Sequence, residues 1–145
     1  MSLEKQREYI GYSFSKGTLS GSILQIASMG ISLFSTNTEI PEACEELVKA
    51  GSCHVKYCAG RKLDGLPIGL VILAARNQYN HWDDPTPRKL TTDVFDILAN
   101  ASGKYTDPAL DLSNDRLQTY SHNILFRLGW TDYQTYLSDA EQLFQ

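Results

Sequence analysis

Leu66-Pro67-Ile68-Gly69-Leu70-Val71-Ile72-Leu73-Ala74-Ala75 is a strongly apolar run that leads without a break into Arg76-Asn77-Gln78-Tyr79-Asn80-His81-Trp82-Asp83-Asp84. Asp64-Gly65 marks a break before it, Pro67 suits a helix opening, and Pro85 and Pro87 stop the polar half. This punctuation predicts a helix from Pro67 to Asp84 at the centre of the fold, apolar at first and polar at its end. Leu66 to Ile72 can also be read as a buried strand, because a short apolar run carries no deciding periodicity. The run is about half of the ~20 residues that a membrane-spanning helix needs.

Helical spacing and helix stop signals recur on both sides. Upstream, Leu3 to Phe14 reads as an amphipathic stretch with Tyr9, Ile10 and Phe14 inward. Leu19 to Phe34 places Leu19, Ile23, Leu24, Ile26, Ala27, Gly30, Ile31 and Phe34 on one wide apolar face. Ser35 to Thr38 is a loop, Pro41 opens a short helix through Ala43, Leu47 and Val48 that Gly51 ends, and Cys53 to Ala59 adds a turn or two before Gly60. Downstream, Leu90 to Ala101 is amphipathic, burying Val94, Phe95, Ile97 and Leu98. Asn114 or Asp115 caps a helix to Leu128 with Gly129 as its stop. Thr131 and Gln134 form a capping box for a last helix carrying Tyr133, Tyr136, Leu137, Ala140 and Leu143. The expected fold is all-α, an antiparallel bundle of about five helices, with residues 1–145 as a single domain.

A content of 42% hydrophobic and 21% charged residues is globular, not disordered. The formal charge of −4 argues against a general nucleic-acid coat, which needs a basic excess, but leaves room for a local phosphate site. Cys44, Cys53 and Cys58 are too few for a disulfide framework, and the odd count fits a reducing compartment. Met1 to Glu8 lacks an apolar signal core. These features predict a soluble, cytoplasmic protein with no membrane partner.

On a helix, Asn77 and His81 are four apart and share a face, as do Arg76 and Asn80 on the adjoining strip. Arg76 and His81 lie roughly 140° apart around the axis, so only the length of the arginine brings its guanidinium towards the groove that His81 faces. Asp84 is placed to hydrogen-bond the His81 ring. This set suits phosphodiester chemistry. A guanidinium matches two phosphate oxygens and offsets developing charge, a histidine moves protons near neutral pH, and Asn77 orients the histidine or the phosphate.

The same segment resembles the HEPN family, small all-helical domains of prokaryotic defence and toxin–antitoxin systems and of some eukaryotic RNA-processing proteins. Their signature is an arginine, a polar neighbour, and a histidine after four to six residues. Arg76, Asn77 and His81 occupy those positions within Ala75-Arg76-Asn77…His81-Trp82-Asp83. The resemblance is confined mainly to residues 75–84. It implies a bundle of four or five helices and a metal-independent endoribonuclease, with Arg76, Asn77 and His81 as catalytic residues, RNA as substrate and an antitoxin or other protein as partner. It also implies a homodimer whose paired motif helices complete one cleft. The alternative within the same family is a non-catalytic domain that binds protein or RNA. Asp83 stands where some toxin members carry a tyrosine that their partner enzyme modifies, so regulation of that kind is not expected. Arg116 and His122 repeat the spacing, but Leu117 replaces the polar neighbour.

Weaker signals receive plainer readings. Cys44, Cys53, His54 and Cys58 lack the paired Cys-x-x-Cys spacing of a zinc site, and no metal is expected. Gly60 to Gly69 lacks the Lys and Ser/Thr of a phosphate-binding loop, and no cofactor is expected. Arg61-Lys62 reads as a solvated loop pair, His122 as a structural histidine, and the tyrosines as packing residues rather than base-stacking platforms.

Overall fold

In the computed structural model, which describes residues 1–145, the apolar run forms a helix, α2 (Ile68–Asn80). Only Leu66 and Pro67 are extended, as the second strand of a hairpin in which β1 (Lys62–Leu63) pairs antiparallel with β2 (Leu66–Pro67). Asp64 and Gly65 form its two-residue loop with φ of 50° and 83°. Both residues need positive φ in this kind of turn, which explains the Asp-Gly dipeptide.

Four further helices complete an all-α fold: α1 (Leu3–Phe34), α3 (Lys89–Ala99), α4 (Ser121–Leu128) and α5 (Tyr133–Leu143). Two short 3-10 turns, Glu42–Cys44 and Cys53–Tyr57, lie between α1 and the hairpin. α2 is the central element. It packs against α1, α3, α4 and the second 3-10 turn, and every residue from Ile68 to Ala75 is buried. Its entry is tight because Gly69 donates its N–H to the Ala59 carbonyl and rests against the Tyr57 carbonyl, where any Cβ would overlap that oxygen.

A buried carboxylate ties the end of the chain to the hairpin. Asp139 accepts two bonds from the Arg61 guanidinium, at 2.9 and 3.0 Å, and a third from Trp130 Nε1 at 2.8 Å. Three donors offset the desolvation of that charge. Arg61 is therefore a structural ion-pair partner, not a solvated loop residue.

Several expectations need correction. The two upstream stretches are one 32-residue helix, and Tyr9, Ile10 and Phe14 are exposed, because nothing in the chain covers α1 before Lys16. Of the wide apolar face, Leu24, Ala27 and Ile31 are in the core, whereas Leu19, Ile23, Ile26 and Phe34 are exposed. The segment after Pro41 forms only a 3-10 turn and further turns, although Cys44 and Val48 are buried. α2 ends at Asn80, before Asp84, and Ile97 and Tyr133 are exposed. α4 begins at Ser121, not near Asn114. Asp132 rather than Thr131 caps α5, its side chain accepting the Thr135 N–H.

α1 is also long and apolar enough to cross a membrane by length and composition, with a third of the relevant window buried in the fold. The length of the Leu66–Ala75 run gives no hint of this, because glycines and serines punctuate the apolar residues of α1. Tyr12, Leu19, Ile26 and Leu33, each 61–69% exposed, recur every seven residues along its outer side.

Candidate functional site

The polar end of α2 presents two adjoining strips, as the spacing predicts. On one, Arg76 and Asn80 both reach Gln25 of α1: Arg76 Nε and Asn80 Nδ2 donate to Gln25 Oε1 at 3.1 and 3.0 Å. Arg76 also donates from Nη1 to Asn77 Oδ1 at 3.1 Å. Its guanidinium is half-buried and held by two amides, and Nη2 makes no hydrogen bond to the protein.

On the other strip, Asn77 and His81 line a cleft of about 340 Å³ between the end of α2, the start of α3 and the segment preceding α4. Arg76 is not among the lining residues. The three predicted residues are thus split: Asn77 and His81 share the cleft, while Arg76 stands behind Asn77 and is coupled to it. Asn77 is nearly buried (8% exposed); its Oδ1 is engaged by Arg76, and its Nδ2 has no acceptor within the protein.

His81 is the C-terminal cap that follows α2, in a non-helical conformation (φ −125°, ψ 33°), and its N–H closes the helix on the Asn77 carbonyl at 3.0 Å. This position releases the side chain from the helix surface and leaves it exposed. Asp84 does not hold the imidazole. Its Oδ1 accepts the Thr86 N–H at 2.9 Å, a local turn that outcompetes the longer reach to the ring.

The opposite walls involve residues that spacing alone did not single out. Gln78 donates from Nε2 to the Gln118 carbonyl at 2.9 Å and accepts the Tyr120 N–H on Oε1 at 3.1 Å, fastening residues 118–120 to α2. Tyr120 donates its hydroxyl to the Asp111 carbonyl at 2.6 Å and sets its ring edge-on to Phe95. Burial, with some contribution from Asp111, raises the Tyr120 pKa, so this wall stays neutral. Arg88 and Thr91 bring the start of α3 to the cleft, and half-exposed Trp82 lies at its edge.

The repeated spacing Arg116–His122 does not build a comparable site. Arg116 lies in irregular chain. His122 sits on α4 with Nδ1 3.5 Å from Ser20 Oγ, and burial together with Lys16 lowers its pKa. Cys44 and Cys58 are buried, Cys58 donating from Sγ to the His54 carbonyl at 3.9 Å, and burial pushes the Cys58 thiol up to about 11; Cys53 is exposed. Thiols held protonated in this way are poor metal ligands and weak nucleophiles. A cleft lined by an imidazole and an amide nitrogen, with the Arg76 guanidinium bonded behind that amide, is equipped to bind an oxyanion and move a proton beside it. Comparison with known proteins adds no family to this geometry: no protein-family model, no curated protein and no solved structure matches the chain.

Proposed function

We propose that the protein is a HEPN-like, metal-independent endoribonuclease of a cytoplasmic defence or toxin–antitoxin system. The observation that carries this reading is the convergence of Asn77 and His81 on one cleft, with Arg76 bonded directly to Asn77. In the proposed reaction a ribose 2′-hydroxyl attacks the neighbouring phosphorus, and His81 serves in proton transfer. The 5′-oxygen leaves with a proton, and the product is a 2′,3′-cyclic phosphate. Asn77 Nδ2 donates to a phosphate oxygen, and Arg76 orients that amide while contributing positive charge from behind.

A homodimer is part of this proposal. Its support is the outer stripe of α1, since a seven-residue repeat of apolar residues is the pattern of a helix–helix seam, and a second copy offers the same stripe. One observation favours a second reading, a non-catalytic RNA- or protein-binding domain: the engagement of Arg76 by Gln25 and Asn77, away from the cleft lining.

Cleavage of a mixed-sequence RNA by purified protein distinguishes the two. Under the nuclease reading, His81→Ala lowers the rate by roughly 10²–10⁴-fold, the usual cost of losing an acid–base group. Arg76→Lys also impairs cleavage, because an ammonium cannot hold Gln25 and Asn77 with one planar fork. RNA binding without cleavage by the wild type, unchanged in His81→Ala, establishes the binding-domain reading.

A further inference from the structure

One wall of the cleft is built by the first turn of α3, and its chemistry is unusual for a helix start. Arg88 is the N-terminal cap residue, no side chain caps the helix, and the first turn contains no acidic residue. The first backbone bond runs from the Thr92 N–H to the Arg88 carbonyl, leaving the Lys89, Leu90 and Thr91 N–H groups without protein acceptors. Helix starts favour negative charge, and here the sequence places arginine and lysine instead.

A second observation is independent of the helix end. Thr91 lines the cleft, is 2% exposed, and its hydroxyl oxygen is buried without a hydrogen-bond partner. A helical threonine ordinarily donates to a carbonyl one turn back, as Thr92 does to Arg88 at 3.4 Å. Thr91 does not, and its other helical rotamer is open to the hydroxyl. Arg88 and Thr91, together with the free first-turn amides of α3, thus stand at a cleft that His81 also lines.

We infer that this wall of the cleft is a phosphate subsite. Arg88, Thr91 and the first-turn amides of α3 hold one phosphodiester group of an RNA strand, adjacent to the phosphate that His81 and Asn77 address. As an RNA subsite it rests on the nuclease reading; as a phosphate site it does not. Asp84, which also lines the cleft, opposes anion binding, while Arg88 favours it. Lys89 pairs with Asp93 along the helix.

The test is amide NMR of the full chain titrated with inorganic phosphate, and then with a short RNA carrying a 2′-deoxy substitution at the cleavable position. Phosphate should shift the Lys89, Leu90 and Thr91 amides. Arg88→Gln should weaken its affinity by about tenfold, the value of one charge-assisted bond, while Arg7→Gln on exposed α1 leaves it unchanged. Thr91→Val supplies a readout that a structural role would not give: phosphate affinity falls about threefold or more while the thermal midpoint is maintained or rises, because an unpartnered buried hydroxyl has been removed. RNA should move the same amides. Unmoved α3 amides, or an unchanged affinity in Arg88→Gln, overturn the subsite, even if the wild type cleaves RNA. Phosphate binding at these amides without RNA cleavage keeps the phosphate site and removes the nuclease reading.

Discussion

α1 and α2 each carry a long uncharged, largely apolar stretch, and the two stretches meet opposite fates. From Ile68 to Ala75 every side of α2 is covered by α1, α3, α4 or the 3-10 turn at Cys53–Tyr57. α1 carries no charge from Gly17 to Phe34, yet only Ser20, Gly21, Leu24, Ala27, Ser28 and Ile31 are buried. Its other apolar residues form a second stripe that nothing in the chain covers. Hydrophobicity thus identifies what gains from leaving water; the neighbours available decide what leaves it.

The largest expected effects break α2 and spare α1. Ile72→Ala, at a fully buried position, should cost about 2–5 kcal/mol of folding stability by denaturant unfolding. Ile26→Ala on the exposed stripe should cost no more than about 0.5 kcal/mol at concentrations where the chain is monomeric. Equal losses at the two positions would break the comparison. Gly69→Ala comes next, at roughly 1–3 kcal/mol, because its Cβ meets the Tyr57 backbone and one of the two must shift. Gly11→Ala, with open space around it in α1, should instead be neutral or stabilising by up to about 1 kcal/mol.

The outer stripe is sharpened by association rather than by folding. Ile26→Asp together with Leu33→Asp should turn a dimer into a monomer in sedimentation equilibrium, with helical circular dichroism unchanged. A wild type that is monomeric at high micromolar concentration contradicts the seam. A smaller effect arises where α1 meets α4. Because burial and Lys16 lower the His122 pKa, the unfolded chain binds more protons there than the folded one. The stabilisation from neutral His122 is therefore full above pH 6.5 and declines as pH falls from 6.5 towards the folded value. His122→Asn should flatten that part of a thermal-midpoint profile.

Signals that act within a few residues were legible in the sequence. Asp64-Gly65 made the turn, Gly129 closed α4 in a left-handed conformation (φ 75°), and the spacing of Asn77 and His81 placed both on one face. Where two local solutions competed, spacing picked the wrong one. Asn114 caps no helix; its Oδ1 accepts the Arg116 N–H and its Nδ2 reaches the Pro108 carbonyl, which holds residues 108–116 in turns. Asp132 displaced Thr131 because its carboxylate accepts both the N–H and the hydroxyl of Thr135. Long-range pairings left no trace in spacing. Gln25 restrains Arg76 from 51 residues away, and Gln78 fastens the cleft wall from 42. The place of Arg88 and Thr91 beside His81 depends on how α3 docks, which no motif encodes.

End-group analysis decides whether His81 and Asn77, with Arg76 behind them, cleave RNA without a metal. RNA would be incubated with wild-type protein in EDTA and the new 3′ ends identified. Cleavage should survive chelation and leave 2′,3′-cyclic phosphate ends, and it should be lost in His81→Ala. Cleavage that requires Mg²⁺, persists in His81→Ala, or never occurs in the wild type would contradict that mechanism.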